Sequence, residues 1–222
     1  MTIKRPSWGL PAVTIASVVS FFGLAAWGWG SWGGLVGHPS RACGLGVIGL
    51  AAFASLFSGI HLGGCAKPDS QGRWRLIPLA LISLALAWLP PFSDRRDLLT
   101  IDGGAARSVG LILLVAGAIL RVGPMFLLGD RFTWPLAAQR EHPLLTSGLY
   151  RMIRHPSYAG ALVGAVGWVL LFRSGAGLFL VALLFPFFLP VIDAEEALLQ
   201  AEFGEAYAAY RRRTWRLIPF VY

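Results

Sequence analysis

The sequence predicts an all-α, polytopic membrane protein of five to six transmembrane spans, the last two of them a C-terminal helical hairpin. Three observations carry that prediction. Of 222 residues, 56% are hydrophobic and 14% are charged, against roughly 25% charged in an ordinary soluble domain. The mean hydropathy is +0.64, more apolar surface than one globular core of this length can hide. The apolar residues also come in runs, at about 10–29, 41–62, 76–92, 105–128, 157–172 and 175–192, each close to the ~20 residues with which a helix crosses a hydrocarbon core.

The first run is long and lacks a small-x-small cleavage site after it, so it reads as a retained span rather than a signal peptide. Around the second run, Cys43 and Cys65 lie in apolar or Gly-rich surroundings without a CxxC spacing, and His38 and His61 offer no ligand spacing. Both pairs read as structural, and no metal site is expected. The fourth run carries Arg121, the one charge well inside an apolar stretch. Arg121 either snorkels to the nearby boundary or faces a cavity, where it would pair with an acidic ligand or a glutamate. Only Arg173, Ser174 and Gly175 join the last two runs, which requires an antiparallel hairpin or a re-entrant pair and leaves the count at six or five.

Basic residues orient the chain. Of nineteen Lys and Arg, Arg41, Arg95, Arg96, Arg107 and Arg173 fall on one side, Arg121 lies within a span, and the other thirteen fall on the opposite side. The positive-inside rule puts both termini and the 129–156 loop in the cytoplasm. The net charge of +8 forms no basic stripe on a soluble face, so anionic lipid head groups are expected as its partners and nucleic acid is not.

Polar chemistry concentrates on that cytoplasmic side. In Arg154-His155-Pro156-Ser157-Tyr158-Ala159-Gly160, Pro156 suits the first helical position and pushes His155 away from helical dihedrals. The segment is a loop turning into a helix, with free N–H groups that suit an anion; its alternative is an interfacial anchor. In the second constellation Asp193, Glu195 and Glu196 stand where the sixth span leaves the membrane. At helical spacing Glu196, Phe203, Tyr207 and Tyr210 share a side, a face suited to a cation or a ribose diol, or to lying amphipathically on the bilayer.

Together these segments resemble the isoprenylcysteine carboxyl methyltransferase family of integral-membrane enzymes, which is related to phospholipid methyltransferases. The resemblance runs over roughly 128–222, through HPLLTSGLY (142–150), RHPSYAG (154–160), the Glu195-Glu196 pair, FGEAYAAYRRR (203–213) and IPF (218–220). It departs from the family at Asp130-Arg131, which follow Leu128-Gly129. What it implies is S-adenosylmethionine as cofactor, bound in a cytoplasmic pocket. His142, Tyr150, His155, Tyr158 and Gly160 would line or shape that pocket, and Glu195 and Glu196 would contribute from its other side. It also implies two regions, N-terminal transmembrane helices over 1–104 and a methyltransferase core over 105–222.

The chemistry then expected is methyl transfer to a lipophilic small-molecule or lipid acceptor. A carboxylate acceptor would be clamped by an arginine, with Arg154, Arg211 and Arg213 as candidates for this catalytic role alongside Arg212. An amine would instead need His155 or Glu196 as base, and a thiol is also open. The Ala-, Gly- and Arg-rich composition suggests a bacterial inner membrane, where a prenylated protein C-terminus is not the expected acceptor. The contrasting expectation is a non-catalytic transporter or sensor that retains the fold. A transporter would line several spans with polar groups, and Arg121 stands almost alone.

Overall fold

The structure, a computed structural model, describes residues 9–56, 70–128 and 144–219. Among these residues there are seven α-helices: α1 (Gly9–Trp29), α2 (Trp32–Val36), α3 (Pro39–Ser55), α4 (Ser70–Arg96), α5 (Ala105–Leu128), α6 (Pro156–Leu171) and α7 (Gly175–Arg211). A 3-10 turn covers Gly148–Arg151. All six apolar runs are helical in their described parts, and the architecture is all-α as the sequence predicts. Four helices contain stretches long and apolar enough to cross a membrane, at Ala12–Trp29, Ile77–Arg96, Ala105–Pro124 and within Gly175–Arg211. Helix α6 is a shorter apolar helix of 16 residues, about 24 Å at 1.5 Å per residue.

Helices α6 and α7 form an antiparallel hairpin. Phe172, Arg173 and Ser174 make the turn, with Arg173 at φ 49° and the Ser174 hydroxyl capping α7 by accepting from the Gly177 N–H at 3.0 Å. Further along the pair, the rings of Tyr158 and Phe188 meet at 5.5 Å, so the two helices run back along one another. Helices α5 and α6 are also antiparallel and approach very closely. A methyl group placed on Gly117 would collide with the backbone of Gly164, and one on Gly167 with that of Leu114. Small residues thus replace side-chain interdigitation along this seam, the usual means of close helix approach where lipid supplies no hydrophobic drive.

The N-terminal helices pack onto that pair. Pro90 lies inside α4 and has no N–H, which leaves the Leu86 carbonyl without its helical donor. The indole N–H of Trp168 on α6 donates to that carbonyl at 2.8 Å. The Trp168 ring packs in turn against Phe21 of α1 and Phe172. By contrast, Val19, Phe53, Ile112 and Phe179 are exposed, as lipid-facing positions should be.

At the end of the bundle that holds the α6–α7 turn, the Asp94 side chain is fully buried. It accepts from Arg107 on α5 through both oxygens at 2.9 Å, from Arg173 at 2.9 Å and from Arg41 on α3 at 3.4 Å. One carboxylate therefore ties α3, α4, α5 and the hairpin turn together. His38 caps α3, its Nδ1 accepting from the Ser40 N–H at 3.2 Å, and so has a structural role. Cys43 is a free, exposed thiol; His61, Cys65 and the end of the second apolar run from residue 57 lie outside the described residues.

Candidate functional site

The opposite end of the α6–α7 hairpin gathers the polar residues. Pro156 begins α6, and His155 before it takes φ −122°, ψ 61° without capping the helix through its side chain. The buried imidazole is therefore available to α7: its Nε2 lies 3.2 Å from Glu196 Oε1 and its Nδ1 lies 3.4 Å from Glu195 Oε1.

Helix α7 does not run straight past this point. Gly204 has φ 51°, ψ −124°, a conformation open essentially to glycine alone, and it splits the helix. The consequence is visible in the contact of Arg211 with Glu196, whose Nη2 and Oε2 are 3.9 Å apart. Fifteen residues of straight helix would separate their backbones by about 22 Å. Beyond the helix the chain lies along the loop before α6, with Trp215 N–H donating to the Met152 carbonyl at 2.9 Å, and Arg154 and His155 N–H donating to the Trp215 and Arg216 carbonyls at 2.8 and 3.2 Å. The Tyr210 hydroxyl donates to the Tyr150 carbonyl at 2.7 Å.

Glu196 is the hub. Arg154 Nε donates to it at 2.9 Å, and Arg216 Nη2 stands 3.5 Å away while also pairing with Asp193. Burial by itself would raise the Glu196 carboxyl, but the hydrogen bonds from His155 and Arg154 outweigh it and hold its pKa at about 2. Burial likewise opposes a charged His155, yet the two glutamates win and raise its pKa above the ordinary histidine value. Arg154 is further bound to the carbonyls of Arg211 and Thr214.

The sequence-derived candidates thus divide. Tyr150, His155, Glu195 and Glu196 come together with Arg154 and Arg211, whereas Arg213 lies exposed on the outer side of the C-terminal turn. Tyr158 packs its ring beside His155 at 5.9 Å. Gly160 turns toward α5, where a Cβ would sit 2.5 Å from the Arg121 nitrogen. His142 lies outside the described residues. Sequence reasoning missed Thr214 and Arg216 as parts of this site; their signal was only their place in the basic C-terminal segment.

Glu195 Oε2 and the Tyr207 hydroxyl are buried here without a hydrogen-bond partner among the described residues. The Glu195 charge acts on Tyr150, Tyr207 and Arg121. Arg121 itself donates to the Ser157 hydroxyl at 2.9 Å and lines a cleft of about 350 Å³ between α3, α5 and α6, with Ala51, Leu114, Gly117, Gly160 and Gly164 among the walls. Arg121 thus borders this cleft, and its hydrogen-bond partner on α6 is Ser157 rather than a glutamate.

The family model described as isoprenylcysteine carboxyl methyltransferase matches residues 110–201. The match takes in Arg121 and the glutamate pair and stops short of 203–213. Over 115 residues the chain is 36% identical to protein-S-isoprenylcysteine O-methyltransferase B of Arabidopsis thaliana, covering 50% of this chain and 58% of that protein. Over 111 residues it is 36% identical to protein-S-isoprenylcysteine O-methyltransferase of Schizosaccharomyces pombe, covering 49% and 47%. The chain thus spans about half the length of the curated relatives it matches. A solved structure described as the eukaryotic intramembrane Ras methyltransferase aligns with a TM-score of 0.48 at 17% identity, covering 99% of this chain and 88% of that one.

Proposed function

We propose that this chain, whose residues 110–201 belong to the isoprenylcysteine carboxyl methyltransferase family, is a membrane methyltransferase that uses S-adenosylmethionine to methylate a carboxylate on a lipophilic acceptor. The carrying observation is convergence. Family-motif residues spread from Tyr150 to Arg211 close on one buried cluster, and that cluster retains an unpaired carboxylate oxygen and an unpaired hydroxyl. Buried polar atoms normally find partners, so a bound molecule with donors and acceptors of its own fits this place. Glu195 and Tyr207 would hold it directly, with Tyr150 and Tyr158 as walls.

When bound, the cofactor supplies a methyl group activated by its own sulfonium leaving group. The protein's part is alignment and exclusion of water. The hydrogen bonds of His155 and Arg154 to Glu196 fix the floor of the pocket and keep the α7 carboxylates in place. Arg121 is the residue best placed to orient an acidic acceptor. It is held by Ser157 beside an apolar cleft, so a carboxylate could be clamped there while its hydrocarbon chain rests among Ala51, Leu114 and Gly117. This reading moves the acceptor role from Arg154, which is bound to Glu196 and two backbone carbonyls, to Arg121. The acceptors named for the relatives, isoprenylcysteines, are lipophilic carboxylates of this class. The basic-residue distribution supports a reading in which both termini and the cluster face the cytoplasm.

The test is to incubate the purified chain with methyl-labelled S-adenosylmethionine and membrane extract, then treat the labelled lipid with base. A methyl ester releases volatile label, whereas N- or S-methyl groups retain it. Release expected from the native chain should fall at least a hundredfold in Arg121→Gln with cofactor affinity intact. Base-stable label would contradict a carboxylate acceptor.

A further inference from the structure

Outside the buried cluster, the same end of the molecule carries an apolar surface that the bundle does not cover. Leu149 and Met152 before α6, and Trp215 and Ile218 after α7, are all exposed. The two segments lie side by side, with Ile153 bridged to Trp215 in parallel fashion and the Trp215 N–H donating to the Met152 carbonyl. Successive side chains of an extended chain point to opposite sides. Arg154 and Thr214 turn inward, onto Glu196 and the Tyr210 carbonyl, so Ile153 and Trp215 turn outward. Basic groups flank this ridge, Arg151, Arg212 and Arg213 all being exposed. Arg212 pairs with Glu205 at 3.0 Å, whereas Arg151 and Arg213 enter no ion pair among the described residues.

The ridge stands at a membrane boundary. Ile153 precedes Pro156, the first residue of α6, by three residues, a stretch that reaches at most about 10 Å. Helix α6 has 16 residues, about 24 Å, and falls short of a ~30 Å hydrocarbon core. That shortfall draws the residues before it toward the head groups. Apolar side chains, a tryptophan and unpaired arginines together suit the head-group layer, whereas the centre of a protein interface is depleted of charge. We propose that Leu149, Met152, Trp215 and Ile218 rest in the leaflet at this end of the hairpin, and that Arg151 and Arg213 bind the head groups of anionic phospholipids there. A free anion would satisfy the arginines but leave the ridge in water. Lipid contact would hold the loop before α6 and the chain after α7 against the bilayer, whatever ligand the cluster between them takes.

The experiment follows the melting temperature of the full chain in neutral detergent as short-chain phosphatidylglycerol, phosphatidylcholine with the same chains, or inorganic phosphate is added. Phosphatidylglycerol should raise the native melting temperature saturably, and the other two should not. Its apparent affinity should weaken about fivefold in Arg151→Gln and about twenty-five-fold in Arg151→Gln/Arg213→Gln, one head-group contact per arginine. Without lipid both variants should melt with the native chain. In nanodiscs of brominated phosphatidylglycerol, the emission difference between the native chain and Trp215→Phe isolates Trp215 and should be quenched. Undiminished stabilisation of the double variant would overturn the assignment, as would equal stabilisation by phosphate or phosphatidylcholine, or a Trp215 signal that bromine leaves unquenched. A lower lipid-free melting temperature in the double variant would assign the arginines to the fold and overturn it too. So would a native dimer that dissociates in Trp215→Ala, which would make the ridge a contact between copies of the chain.

Discussion

Glu195 and Glu196 are adjacent in sequence and have opposite surroundings. Glu196 is met by Arg154, His155, Arg211 and Arg216, whereas Glu195 keeps one oxygen unpaired. Glu196 therefore acts through the residues it positions. Glu196→Gln should destabilise the protein by about 3–5 kcal/mol, the cost of leaving a buried charge without its partner, as read by denaturant unfolding in detergent. His155 supplies a pH dependence whose sign is set by its raised pKa. Its contribution is fully present below its ordinary value of 6.5 and is lost as pH rises through the folded value. The melting temperature should accordingly fall as pH rises above 6.5, and His155→Gln should flatten that fall; an equal fall in the variant would assign it to other groups. Which segments meet was legible in the residues themselves, because Pro156 marks a loop-to-helix turn and the paired glutamates mark a membrane boundary. The division of labour between the glutamates was not, since it depends on Arg216 and Arg154 reaching one oxygen rather than another.

At the scale of elements, the site depends on two backbone features that a residue-by-residue reading leaves open. The first is the break at Gly204, which appears in the sequence only as one glycine within a helix-like motif. Its φ of 51° with ψ −124° excludes a Cβ-bearing residue in that conformation, so Gly204→Ala should restore a straighter helix, detach Tyr210 from Tyr150 and weaken S-adenosylhomocysteine binding at least tenfold. Helix content by circular dichroism would stay level. The second is the α5–α6 seam. Its antiparallel register brings Arg121 onto Ser157, a pairing that composition and periodicity could not specify because both helices are apolar around their circumference. Gly117→Leu should separate them and lower thermal stability, and acceptor methylation should fall further than cofactor binding. The sequence did locate the apolar helices, because each apolar run ends at charged or Gly-rich segments, although α4 and α7 continue past those ends to Arg96 and Arg211.

At the scale of the molecule, the two ends of the α6–α7 hairpin have different tasks. One end is locked by Asp94 and its three arginines, joining helices from outside the 110–201 match to those within it; the other carries the candidate site. Even-numbered crossing would bring both termini to the site's side, so reporters fused at either end should give cytoplasmic signals. The claim on which the rest depends is that the cluster of Tyr150, His155, Glu195, Glu196 and Tyr207 is a cofactor pocket. Calorimetric titration of the purified full chain with S-adenosylhomocysteine tests it most directly. Saturable binding in the micromolar range is expected, competed by S-adenosylmethionine and weakened by Glu195→Gln; folded protein that gives no binding heat and no competition would contradict a cofactor pocket here.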